Sequence, residues 1–183
     1  MTRDQQAIWE QEKRVVRALR DGLGKGVDRQ AVEVVAALRL VGINTDGSCG
    51  GHADRLLGPY VTFRSTTNAS DRQQIKRAAT PSTLRRRKRR AIQHNAVQLS
   101  QVLAYLERFY AHRGVPASQR LICQGFGVIG YRLTAQDADL VTMVREGDRQ
   151  RFVERQRREF DAFAQFLRTE FFATLSDAPS RAA

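Results

Sequence analysis

Residues 120–133, RLICQGFGVIGYRL, indicate the kind of sheet that this chain forms. Apolar residues stand on both sides of Gly125, Gly127 and Gly130, and this pattern predicts one or two β-strands with a turn or bulge between them. A short extended piece is predicted for residues 43–49, and a further strand for residues 60–63, YVTF, because β-branched and aromatic residues favour extended backbone. The chain therefore carries strand signals in two separate places.

Helical spacing of apolar residues surrounds both strand signals. It predicts helices over residues 5–20, 28–41 and 82–113, with Asp28 as the N-cap of the second, and a long last helix after Gly147. The order helix, helix, strand, strand, helix, strand, strand, helix predicts an α+β fold. We expect a small, mostly antiparallel sheet with helices packed on one face.

Composition limits the class of protein. The chain has 183 residues, of which 42% are hydrophobic and 27% charged, as in globular proteins. It has no apolar run of the roughly 18 residues that span a bilayer, and its two cysteines do not make a disulfide framework. We expect a cytoplasmic protein without a membrane partner. Residues 1–175 are predicted to form a single domain with a basic insertion at about 64–95, followed by a frayed tail over 176–183.

The positive charge is concentrated in one segment. The chain has a formal net charge of +12, and residues 64–99 hold ten basic side chains against one acidic side chain, a net charge of +9. The remainder of the chain is close to neutral. No apolar stripe runs through residues 85–90, so we expect this part of the helix to project into solvent. The candidate nucleic-acid-binding residues of this segment are Arg72, Lys76, Arg77, Arg85, Arg86, Arg87, Lys88, Arg89 and Arg90.

A run of six cations at residues 85–90 favours binding to a polyanion. Cations that neutralise phosphates release counterions, and arginine binds phosphate in bidentate fashion. We expect nucleic acid, RNA in preference to DNA, as the partner, with no signal for reading of particular bases. An acidic protein partner and a solvated insertion without a partner are the alternatives. A membrane surface is less favoured, because no Trp or Phe is interleaved with the cations.

The sequence TDGSCGGH at residues 45–52 is the densest cluster of chemically active residue types. The N–H groups of Gly50 and Gly51 are predicted to form a nest for an anion. Cys49 and His52 are also the candidate catalytic pair, because an imidazole can activate a thiol. The candidate ligand-binding residues are Thr45, Ser48, Cys49, Gly50, Gly51 and His52.

Two other interpretations of the same turn stay open. The turn is equally compatible with a purely structural role, with Cys49 buried and His52 bonded to backbone. We assign no metal ligands, because a structural zinc site needs four and the turn supplies only Cys49 and His52. A single zinc is a candidate cofactor from the residues of the turn, and Asp46 is the candidate for orienting His52. Cys123 is predicted to be a core residue.

Two resemblances rest on the same turn. The pattern Thr45-x-x-Ser48-Cys49-x-Gly51-His52 resembles an uncharacterised bacterial family with a T-x-x-S-C-x-G-H turn. That resemblance covers most of the chain except residues 64–95 and implies no activity. Ser48-Cys49-x-Gly51 is also similar to the S-C-S-G-R turn of the wybutosine-synthesising tRNA methyltransferase family, with His52 where that family has Arg. This second resemblance implies an RNA-modifying enzyme that uses S-adenosylmethionine.

Overall fold

A computed structural model describes residues 1–20, 24–65, 77–126 and 130–176. In these residues the chain forms four α-helices and one four-stranded antiparallel sheet, which confirms the α+β fold. The helices are α1 (Arg3–Ala18), α2 (Val32–Leu40), α3 (Pro81–Tyr110) and α4 (Glu146–Ser176). The strands are β1 (Thr45–Cys49), β2 (Tyr60–Phe63), β3 (Leu121–Gly125) and β4 (Tyr131–Ala135).

The sheet has the strand order β1-β2-β4-β3, and all neighbouring strands are antiparallel. Val61 of β2 lies opposite Leu133 of β4, which in turn lies opposite Cys123 of β3. The strands β3 and β4 come from the glycine-containing stretch, so this stretch supplies two strands.

The two faces of the sheet have different surroundings because successive side chains on a strand point to opposite sides. Val61, Phe63 and Leu133 are buried in the hydrophobic core. The helices contribute to this core through Val35, Leu38, Val102, Leu106, Phe163 and Leu167. This confirms the prediction that the helices pack on one face, and it leaves Tyr60, Thr62 and Arg132 on the opposite face.

The basic segment continues into a core helix. Thr80 caps α3, since its side-chain oxygen accepts a hydrogen bond from the Thr83 N–H at 3.2 Å, and Pro81 occupies the first turn. From there α3 runs without a break into its buried half, which contains Val102 and Phe109. Residues 81–95, predicted as part of an insertion, are therefore the first half of a helix that packs in the core.

Some predictions fall on residues outside the described ranges. Arg72 and Lys76, two of the predicted nucleic-acid-binding residues, belong to this group, as do residues 177–183 of the predicted tail. Among the described helices, none combines the length with the apolar character that a bilayer crossing requires.

Candidate functional site

The predicted pair Cys49 and His52 is joined in space by Asp28. Asp28 precedes α2, Cys49 ends β1, and His52 follows in the turn after it. His52 Nε2 lies 3.3 Å from Asp28 Oδ2. One ligand-type atom from each of the three residues lies within 4.8 Å of the others. We call these three residues the Asp28–Cys49–His52 cluster.

Asp28, not Asp46, is the acid beside His52, and the prediction for Asp46 is wrong. The Asp46 carboxylate accepts a hydrogen bond from the Thr62 hydroxyl at 2.9 Å and pairs with Arg64. The sequence predicts Asp28 as the cap of the second helix, but its side chain makes no cap hydrogen bond. Its carboxylate is turned towards the cluster instead.

The backbone N–H groups of the turn bond within the protein. Gly50 donates to Asp28 Oδ2 at 2.9 Å, and Gly51 donates to Cys49 Sγ at 3.4 Å. The His52 N–H donates to the Leu57 carbonyl at 2.7 Å. The predicted anion nest is therefore wrong, because its N–H groups already have acceptors. They support the side chains of Asp28 and Cys49.

Arg157 of α4 holds the turn from the other side. Its Nε donates to the Gly50 carbonyl and its Nη2 to the Gly51 carbonyl, both at 2.7 Å. Gly51 has φ +81°, and a Cβ there would lie 2.9 Å from Val153 Cγ1. Arg157 is not predicted from the sequence, since more than 100 residues separate it from the turn. No local pattern indicates such a contact.

Within the cluster, the pKa of the Asp28 carboxyl is lowered and the pKa of the Cys49 thiol is raised. Burial raises the pKa of Asp28, but the hydrogen bond from Gly50 and the neighbouring His52 outweigh it and hold this pKa below its usual value. Burial raises the pKa of the Cys49 thiol, and the nearby Asp28 charge adds to this effect. Cysteine nucleophiles are activated by positive neighbours that lower the pKa. The surroundings of Cys49 instead raise the pKa of its thiol, so they do not activate it as a nucleophile.

Thr45 and Ser48, which the sequence places in one ligand site with Cys49 and His52, line a separate cavity. This cavity of about 150 Å³ is also lined by Val35 of α2. Ser48 pairs with Val61 on the core face, whereas Cys49 pairs with its cross-strand neighbour on the opposite face. The six predicted ligand-binding residues therefore do not form one site.

The face of the sheet that carries Cys49 also carries a stacked arginine. The guanidinium of Arg132 lies 4.6 Å from the centre of the Tyr60 ring and 4.5 Å from that of Phe126. Phe126 keeps 40% of its surface exposed. This group is not predicted from the sequence, although an alternating strand with an arginine next to an aromatic residue is a signal for it.

The arginine run forms an exposed face on α3. Arg85, Arg86, Arg89 and Arg90 are exposed, and so is Arg77 before the helix. Arg87 and Lys88 are half-buried, and Ala91 is completely buried. The prediction that this part of the helix projects into solvent is therefore wrong for the side that carries Arg87, Lys88 and Ala91. In the described ranges, none of the ion pairs includes any of the four exposed arginines of α3.

The mid-part of α3 is fixed to the end of the sheet. Asn95 Oδ1 accepts the Ser65 N–H at 2.7 Å, and Gln98 Oε1 accepts the Asn44 N–H at 2.9 Å. At a rise of about 1.5 Å per residue, Arg85 lies about 15 Å along the helix from Asn95. The arginines are thus held on an ordered helix at a fixed distance from the sheet.

Comparison of the chain with protein-family models, with curated proteins and with solved structures finds no match. The two family resemblances of the turn stay predictions.

Proposed function

We propose that the protein binds nucleic acid, with RNA as the preferred partner, through the first turns of α3. The proposal rests on one observation above all: Arg85, Arg86, Arg89 and Arg90 form an exposed, positively charged face. No acidic residue occurs in α3 before Glu107. The nearest acidic residue on the same helix is thus 17 positions beyond Arg90.

The charges on this face repel one another in the free protein. Arg85 and Arg89 are four residues apart, as are Arg86 and Arg90, and each like-charged pair at this spacing costs about 0.2–0.5 kcal/mol of helix stability. The positive end of the helix dipole lies at the same end of α3, and the first turn contains no acidic residue. A bound polyanion relieves both effects.

The spacing of the arginines suits a phosphate backbone. The axial rise from Arg85 to Arg90 is about 7.5 Å, so the four guanidinium groups are presented in a compact set. Each planar guanidinium can bind a phosphate through two hydrogen bonds. Contacts of this kind position a nucleic acid without reading its bases, which agrees with the lack of any base-reading motif in the sequence.

The aromatic side chains on the sheet favour RNA. Proteins recognise single-stranded RNA by stacking unpaired bases on aromatic rings and on arginine planes. Phe126, which keeps 40% of its surface exposed, provides such a ring beside Arg132. We therefore expect single-stranded RNA to bind more tightly than duplex DNA of the same length.

The proposal is tested with a charge variant and a matched control. The test variant carries Gln at positions 85, 86, 89 and 90. The control carries Gln in place of the exposed arginines Arg3, Arg14, Arg17 and Arg158, so that it loses the same charge elsewhere on the surface. Fluorescence anisotropy with a labelled single-stranded RNA measures the affinity of each protein, and circular dichroism verifies that each is folded.

We expect the test variant to lose at least tenfold in RNA affinity and the control to lose much less. Equal losses in the two variants would mean that only net charge matters, and would contradict a binding face on α3. An acidic polypeptide that displaces RNA and binds more tightly than it would favour the acidic protein partner instead.

A further inference from the structure

We propose that Asp28, Cys49 and His52 form a binding site for a divalent transition metal of the zinc type. This inference is independent of the proposed nucleic-acid binding. The three residues come from two separate parts of the chain, yet one ligand atom from each lies within 4.8 Å of the other two. Carboxylate, thiolate and imidazole are the three kinds of protein ligand that zinc uses.

The spacing of the ligand atoms is close to what such an ion requires. Zinc bonds of about 2.0–2.3 Å at tetrahedral angles place ligand atoms about 3.3–3.7 Å apart. The His52 Nε2 to Asp28 Oδ2 distance of 3.3 Å already lies in that range. The remaining separations do not exceed 4.8 Å, so closure by about 1 Å is enough.

The groups around the cluster support its side chains as metal ligands do. In metal sites, hydrogen bonds with surrounding groups fix the orientation of the ligands. Gly50 donates its N–H to the Asp28 carboxylate, and Gly51 donates its N–H to the Cys49 sulfur. The carbonyls of the same two glycines are held by Arg157. Arg157 is therefore a positioning residue for the turn.

Asp28 makes no capping hydrogen bond to its helix, and this observation also favours a metal site at the cluster. A carboxylate at an N-cap position normally accepts a hydrogen bond from the helix and stabilises it. Asp28 gives up this contact and directs its carboxylate to the cluster. A function at the cluster gives a physical reason for that arrangement.

The cluster supplies three protein ligands, which leaves the fourth coordination position of the ion open. Three protein ligands plus water or substrate is the arrangement of catalytic zinc, whereas structural zinc takes four protein ligands. The side chains of Asp28 and His52 are 36% and 31% exposed, so a water molecule can reach the cluster. Tyr60, the cross-strand neighbour of Cys49, lies on the same face of the sheet.

Metal binding is tested on the full-length protein with zinc and with cobalt. Zinc affinity and stoichiometry are measured by competition with a chromophoric chelator, and the cobalt complex is examined for the absorption of a cobalt–thiolate bond. The variants are Asp28→Asn, Cys49→Ser and His52→Gln. The matched controls are Cys123→Ser, which removes the other cysteine, and His112→Gln, which removes an exposed histidine.

We expect one ion per chain, an affinity loss of at least tenfold in each cluster variant, and unchanged affinity in both controls. The cobalt–thiolate absorption is expected to disappear in Cys49→Ser and to remain in Cys123→Ser. A wild-type protein that binds no zinc would overturn the proposal, as would binding that survives Cys49→Ser and His52→Gln. Because circular dichroism verifies folding of each variant, a loss of binding is not confused with unfolding. RNA affinity, measured on the same variants, is expected to stay unchanged.

Discussion

Gly51 is the residue at which the geometry of the turn is most constrained. Its φ of +81° lies in the left-handed region, and a Cβ would lie 2.9 Å from Val153 Cγ1 and 3.0 Å from the Pro59 nitrogen. The close Pro59 atom belongs to the backbone and cannot move away as a flexible side chain can. Both features require glycine at this position.

We predict that Gly51→Ala destabilises the protein by about 2–4 kcal/mol, the sum of the left-handed strain and the steric overlap. Gly114→Ala is the matched control, because a Cβ at Gly114 would have no atom within 4 Å. Urea denaturation measures both variants, and the control is expected to stay within about 0.5 kcal/mol of the wild type. Similar midpoints for Gly51→Ala and the control would contradict the constraint.

At the residue scale, part of the site is predictable from local sequence. Cys49 and His52 are three positions apart, and this spacing by itself indicates a pair. Asp28 lies 22 residues from Gly50, the group whose N–H it accepts. Since the side chain of an N-cap residue usually bonds to its own helix, local rules assign Asp28 to capping and not to the cluster.

Among the elements, α4 connects the core to the turn. Phe160 and Phe163 bury one side of α4 in the core, while Arg157 on the same helix donates to two carbonyls of the turn. The position of the turn thus depends on the packing of a helix that is far away in the sequence.

We predict that Arg157→Gln destabilises the protein by about 1–3 kcal/mol, because two part-buried carbonyls lose their charged donor. Arg158→Gln is the control, since Arg158 is the next residue and is exposed. Thermal and urea unfolding compare the two variants. If Arg158→Gln is as destabilising as Arg157→Gln, loss of charge and not loss of the two hydrogen bonds is the cause.

The bounds of the elements are predictable where periodicity is strong. The strand predicted for residues 60–63 is β2, and the helix predicted for 82–113 is α3 at Pro81–Tyr110. The second helix is predicted from residue 28, but the chain first forms a 3₁₀ turn at Arg29–Ala31, before α2. Helical periodicity predicts which residues share one face of a helix. It does not predict which residues that are far apart in the sequence come into contact.

For the whole molecule, the distribution of charge is the property that matters most. Residues 64–99 carry +9 of the net charge of +12. The described part of that segment places four arginines on one exposed helix face. The Asp28–Cys49–His52 cluster lies elsewhere, at the end of β1 and beside the residue that precedes the 3₁₀ turn before α2. The chain therefore separates a candidate polyanion surface from a candidate metal site, and each can be tested without the other.

The dependence of RNA affinity on salt is the most direct test of the central claim, which is that α3 binds a phosphate backbone. The logarithm of RNA affinity is plotted against the logarithm of salt concentration. If the four arginines neutralise four phosphates of a single strand, their contribution to the slope is about −3. The variant with Gln at positions 85, 86, 89 and 90 is expected to have a slope that is smaller in magnitude by about 3 than the slope of the wild type. The same slope for the wild type and this variant would contradict the claim.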